Sequence, residues 1–192
     1  MPGDRIEAAS DGGHPGSIAI VTIGTGADAN PNPRGGGLAD VERNAREFAT
    51  EVDRVLSSTL RPIVSPPTGR IRTLQLALGP FRSRTEEPQT VSYPVQTWTF
   101  GNDLAMVFLG GEVVADYGLR LKRELDRTRL WINAYSNDVA FYVPSRRMIP
   151  EGGYEVEASM VYYGHPARLA ETTEDLIVRT VHDLLPSGYK RP

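Results

Sequence analysis

Two short β-rich runs, residues 95–100 and 104–109, are separated by only Gly101-Asn102-Asp103. Three residues of that kind leave no room for a crossover, so the spacing predicts an antiparallel hairpin. Upstream, Leu74, Leu76 and Leu78 alternate with Thr73, Gln75 and Ala77, the period of a strand with one buried face. Residues 17–23 are apolar, β-branched and closed by Gly24, and read as a buried strand; residues 130–134 read as a further short one. Strands of this kind need a covering layer. Three segments can supply it. Leu38, Val41, Ala45, Phe48, Val52 and Val55 recur at helical steps over residues 38–56. Val113, Val114, Tyr117, Leu121 and Leu125 do so over 113–126, and Leu176, Ile177, Val181, Leu184 and Leu185 over 175–185, where Thr172-Thr173-Glu174-Asp175 is a helix start. The expectation is an α/β fold, a mixed β-sheet with these three helices packed on it. Residues 80–88 read as an exposed loop, and 135–163, rich in Tyr, Pro and Gly and poor in periodicity, as a long structured loop.

Composition narrows the function classes. With 21 Lys+Arg against 24 Asp+Glu in 192 residues, the formal charge of −3 argues against a nucleic-acid partner. The chain has no Cys, which excludes disulfides, thiolate metal sites and a Cys nucleophile. No apolar run approaches the roughly 18 residues a spanning helix needs, so no transmembrane segment is expected. The first residues carry acids and lack an apolar stretch, so they do not read as a signal peptide. A single domain over 1–192 is expected, with 1–15 and 187–192 flexible.

Several motifs reduce to ordinary readings. Gly24-Thr25-Gly26 lacks the third glycine of a dinucleotide fingerprint, and Gly-Lys-Ser/Thr does not occur. Asp28, Asn30 and Asn32 alternate like Ca²⁺-loop ligands without the required glycine and glutamate offsets, so a turn stabilised by their side chains is the simpler reading. His14, His165 and His182 form no close pair that would clamp a metal; His182 lies in the last helix, while His14 and His165 each precede a proline in a loop. Gly110-Gly111-Glu112 is sharper, because it puts a carboxylate at the junction of an apolar strand and a helix, where α/β proteins often hold ligands. The same glutamate would also complement a helix dipole. Tyr135, Tyr142, Tyr154, Tyr162 and Tyr163 concentrate five of the eight tyrosines in one loop. Phenols can ligate a metal, donate to an oxyanion or line an apolar groove.

Three segments, in order, resemble the neutral/alkaline (non-lysosomal) ceramidase family, in its short bacterial form without an immunoglobulin-like domain. They are Gly24-Thr25-Gly26-Ala27-Asp28-Ala29-Asn30-Pro31-Asn32-Pro33-Arg34-Gly35 with the helix that follows, Leu109-Gly110-Gly111-Glu112, and the stretch from Asn133-Ala134-Tyr135 through Tyr142-Val143-Pro144 to Gly152-Gly153-Tyr154-Glu155-Val156. The likeness implies a zinc-dependent hydrolase (one Zn²⁺) that cleaves the N-acyl amide bond of ceramide or a related lipid, in an αββα-like sandwich and an extracellular or periplasmic setting. It places Glu112 and Tyr142 at metal-ligand positions, with Tyr135 as the alternative to Tyr142, and Tyr154 where a tyrosine orients the amide and meets its oxyanion. The family's two histidine ligands belong to the half of the catalytic domain that precedes these segments, and His14 stands in neither histidine motif. The chain is therefore expected to be the second half of such a domain, from a truncated gene, a fragment, or a protein needing a complementary chain that carries the missing half. The alternative is a catalytically inactive fragment or subunit without the histidine zinc ligands.

Overall fold

Alternation of β-branched and aromatic residues with polar ones builds the sheet, and the structure, a computed structural model, describes residues 18, 20–32, 35–79, 89–165 and 167–191. His14, the expected flexible residues 1–15 and the expected loop 80–88 lie outside them. The chain divides into two units, Met1–Thr22 with Asn30–Pro62 and Ile23–Ala29 with Ile63–Pro192.

In the first unit α1 spans Leu38–Leu56, as the three- and four-residue steps predict. Asp40 accepts the Gly36 backbone N–H at 2.7 Å, satisfying a donor near the helix start. Glu42–Arg46 and Glu51–Arg54 pair one turn apart on its polar side. None of its residues is buried.

The second unit holds the sheet. β1 (Pro67–Ala77), β2 (Thr90–Phe100) and β3 (Leu104–Leu109) form an antiparallel meander, with the predicted turn at Gly101-Asn102-Asp103. The two-residue β4 (Glu112–Val113) and α2 (Ala115–Glu124) then cross over to β5 (Leu130–Asn133), which pairs parallel to β3. The sheet order is β1-β2-β3-β5, so the fold is mixed α/β. β6 (Tyr142–Val143) lies beside β4 as a separate two-stranded parallel ladder. Beyond it come α3 (Met148–Glu151), a π-helical turn (Tyr154–Ala158), α4 (Ser159–Tyr162) and α5 (Thr173–Leu184).

The core lies on one face of the sheet. Leu76, Val95, Val107 and Leu109 point into it and meet Tyr117 and Leu121 of α2 and Ile177 and Val181 of α5, all fully buried. Arg120 ties the two helices together, donating to Glu124 at 2.8 Å and to Glu174 and Asp175 at 2.7 Å each. Ser187–Tyr189, expected to be loose, forms a 3₁₀ turn whose Tyr189 is buried, donates to the Gly101 carbonyl at 2.8 Å and lies under the Arg129 guanidinium.

Three expectations need correction. The described residues of 17–23 form no strand, and Ile18, Ile20, Val21 and Ile23 are exposed; the run is apolar but belongs to no ladder, and within the second unit the Ile23 carbonyl accepts Ala134 N–H at 2.9 Å. Residues 113–114 belong to β4 and the helix cap, so α2 starts later than its apolar pattern suggests. About half of the stretch 135–163 is regular, in elements too short to show a period, and the rest is the irregular chain expected. No helix among the described residues is long and apolar enough to cross a membrane.

Leu121 is wholly buried between sheet and helices. Leu121→Ala should lower the unfolding free energy by about 2–5 kcal/mol, a loss that urea denaturation followed by circular dichroism measures.

Candidate functional site

Parallel pairing of β3 and β5 brings their C-terminal ends side by side, and the chain leaving each end carries a candidate residue. After β3 the backbone turns through Gly110 and Gly111. Gly111 has φ 71°, and a Cβ there would stand 2.6 Å from the Phe141 carbonyl oxygen, so only glycine fits without a shift of backbone. That close approach is laced by hydrogen bonds. Gly111 N–H donates to Asp138 at 2.7 Å, Tyr135 N–H to the Gly111 carbonyl at 3.0 Å, and Glu112 N–H to the Phe141 carbonyl at 2.9 Å. Glu112 and Tyr142 are thereby direct partners in the β4–β6 ladder.

A second anchor comes from the glycine-rich segment after residue 23. Ala27 N–H donates to the Val113 carbonyl at 3.2 Å, and Asp28 accepts the Ala115 N–H at 2.8 Å, capping α2 from a distance. Asp28 is thus a structural acceptor just beyond Glu112.

Three tyrosines converge on the Glu112 carboxylate. Tyr135, held at φ 52° where a bulky residue costs about 1–2 kcal/mol, donates its hydroxyl to Oε2 at 3.2 Å. Tyr163, just past α4, donates to Oε1 at 2.5 Å. Tyr142 stands alongside, and its ring meets Tyr154 edge-on at 5.4 Å and Tyr163 at 6.5 Å. Tyr154 opens the π-helical turn, after Gly152 and Gly153 at φ 71° and 95°, and is half exposed. The four tyrosines and the one carboxylate form a single cluster.

Its electrostatics have one sign. The hydrogen bond to Glu112, with burial adding to it, pushes the Tyr163 phenol up to about 12. Burial, reinforced by the same carboxylate, raises the Tyr142 phenol well above its ordinary value. Burial first, then the charges of Glu112 and Asp28, raise that of Tyr135. All three phenols are thereby held in the neutral form, by burial and by the Glu112 carboxylate together.

Glu112 and Tyr142 stand together as the likeness implies, and Tyr135, the alternative, touches the same carboxylate, so the oxygen donors suit a hard or borderline cation. No imidazole joins them among the described residues. His165 Nε2 lies 3.2 Å from the Ala140 carbonyl, with its ring against Phe141, and His182 Nε2 lies 2.8 Å from Glu124. Among the described residues no group of three or more His, Cys, Asp or Glu could hold a metal ion.

Sequence reasoning missed the role of Tyr163. It stood among the clustered tyrosines, but its contact with Glu112 spans 51 positions and no local spacing announces it. Compared with protein-family models, curated proteins and solved structures, the chain matches none.

Replacing the carboxylate by an amide removes the charge that raises the phenols. Glu112→Gln should therefore shift tyrosine ionisation to lower pH, Tyr163 moving from about 12 toward the ordinary value of about 10, as read by tyrosinate absorbance. Linkage has a definite sign here. A raised folded-state phenol contributes stability below pH about 10, and that stability is lost as pH climbs through about 12, so the wild type should lose more across this window than the variant.

Proposed function

We propose that the Glu112–tyrosine cluster is the oxygen half of a zinc-dependent amide hydrolase centre resembling that of neutral ceramidases, acting on the N-acyl amide bond of ceramide or a related lipid. The observation that carries this reading is one carboxylate ringed by Tyr135, Tyr142 and Tyr163, with Tyr154 edge-on to Tyr142 beside it. Glu112 and Tyr142 would hold the metal, and Tyr135 could take the place of Tyr142. Two nitrogen ligands must come from outside the described residues, on this or a complementary chain. The chemistry a bound zinc supplies is an acidified water and a polarised carbonyl.

This chain's residues do the rest. Glu112 provides the negative charge that neutralises a cation, and Tyr163 and Tyr135 fix the orientation of its two oxygens. Tyr154, exposed enough to meet a substrate, donates its hydroxyl to the acyl oxygen as that atom gains charge. Exposed Val161 and Tyr162 nearby in sequence add apolar surface suited to a lipid amide.

A second reading has its own support. Both Glu112 oxygens already accept a phenol, so the cluster is internally satisfied without a metal, as in an inactive subunit or fragment. Zinc titration separates the two. On the hydrolase reading, Zn²⁺ lowers the pH at which the tyrosines of the wild-type chain ionise, and Glu112→Gln abolishes the effect. No zinc-dependent shift, together with no hydrolysis of ceramide, N-acyl amino acids or simple esters, would overturn a site self-sufficient in this chain and favour the inactive reading for the chain by itself. In an active assembly, Tyr154→Phe should lower amide hydrolysis about 10²- to 10³-fold with zinc affinity unchanged.

A further inference from the structure

The two oxygens of Glu112 are held unequally, by two tyrosines that belong with it to the second unit. Tyr163 donates to Oε1 at 2.5 Å, a distance typical of a charge-assisted bond from a hydroxyl to a carboxylate. Tyr135 donates to Oε2 at 3.2 Å, longer than the roughly 2.5–3.0 Å usual for hydroxyl donors. The backbones differ in the same sense. Tyr163 closes α4 at φ −85°, its N–H donates to the Ser159 carbonyl at 3.3 Å, and Ser159 and Met160 of that helix are buried. Its phenol thus projects from a packed, unstrained base. Tyr135 stands in the left-handed region at φ 52°, and Asn137 follows it there at φ 65°. Other bonds keep the backbone in that turn: Tyr135 N–H donates to the Gly111 carbonyl at 3.0 Å and Ser136 N–H to the Leu109 carbonyl at 3.1 Å. The Tyr135 hydroxyl can therefore leave Oε2 while the turn stays formed. Bulky residues held in such a conformation cluster at ligand clamps and switch regions, where the surroundings over-determine them.

We infer that Glu112 has one fixed and one working oxygen: Tyr163 is the positioning residue that holds Oε1, and Tyr135 is the exchangeable donor that occupies Oε2 until a cation displaces it. A partly buried carboxylate oxygen left without a partner is costly, so an empty site needs a donor on Oε2. A donor bonded too well would compete with the cation, and the long Tyr135 bond satisfies the oxygen without that competition. Oε1 has the opposite requirement. A ligating carboxylate is aimed by the hydrogen bonds on its remaining oxygen, and removing such a partner typically costs about 10- to 100-fold in metal affinity. Tyr163 supplies that bond from an element 51 positions away from Glu112, so the orientation of the carboxylate is set independently of its own strand. The inference rests on the hydrolase reading only for the identity of the cation.

Proton NMR of the full chain without metal, followed by a zinc titration read by calorimetry, tests it. The expected spectrum has one hydroxyl resonance far downfield, from the short bond to Oε1; Tyr163→Phe and Glu112→Gln remove it, and Tyr135→Phe leaves it in place. In the titration Tyr163→Phe should bind Zn²⁺ about 10- to 100-fold more weakly than the wild type, and Tyr135→Phe severalfold more tightly, because no donor then has to be displaced. A tyrosine with a merely structural role would change stability and leave the affinity of the folded chain alone. Binding by Tyr135→Phe that is equal to or weaker than that of the wild type overturns the exchangeable role. A chain that takes up no zinc ends the self-sufficient hydrolase reading, and the metal-free spectra then decide the assignment by themselves. It is overturned by a wild type without the downfield resonance, or by a resonance that Tyr135→Phe removes. The wild type and Tyr135→Phe suffice for that decision should Tyr163→Phe fail to fold.

Discussion

The backbone contact between Gly111 and Phe141 is the constraint on which the rest of the site depends. It lets two chain segments pass closer than any side chain would permit, and the hydrogen bonds of Asp138, Tyr135 and Glu112 close around it. The two-residue β4–β6 ladder is too short to be stable by itself. It persists because β3 and β5, embedded in the sheet, deliver both strands to the same place. Glu112 and Tyr142 are neighbours through backbone geometry, and their side chains inherit that precision.

Charge is handled differently at the two ends of α2. Near its start, Glu112 is surrounded by neutral hydroxyls, so its negative charge is stabilised by hydrogen bonds and stays uncompensated. On its later turns, Arg120 is shared by Glu124, Glu174 and Asp175, which joins α2 to α5. The first arrangement orders a carboxylate among phenols; the second holds helices in place. Ion pairs of this partly exposed kind contribute modestly to stability, and the apolar contacts of Tyr117, Leu121 and Ile177 bear most of it.

Much of the α/β architecture is legible in local patterns. Leu74, Leu76 and Leu78 announce a strand side by alternation, Gly101-Asn102-Asp103 announces a turn, and residues 38–56 show enough turns for helical period to stand out. Residues 135–163 show nothing comparable, because two-residue strands and four-residue helices contain less than one repeat of any pattern. The described residues of 17–23 mislead for the opposite reason: apolar character predicts burial, but a strand also needs a ladder partner, and they belong to no ladder. Within the site, Glu112 was visible as an acid at a strand–helix junction, and Tyr135, Tyr142 and Tyr154 as loop phenols. Tyr163 was not singled out, since its role arises from tertiary distance alone.

The π-helical turn has a geometric meaning for the cluster. Tyr154 and Tyr163 are nine residues apart, and nine steps of a regular α-helix, at roughly 100° each, would leave them half a revolution out of phase. Wider winding over Tyr154–Ala158 absorbs part of that angle, and both rings come to face Tyr142 while Tyr162 is turned to solvent. A lineage that lost the slack in this turn would keep all its tyrosines and still disperse them, so the winding of the helix, as much as its composition, decides whether the phenols act as one.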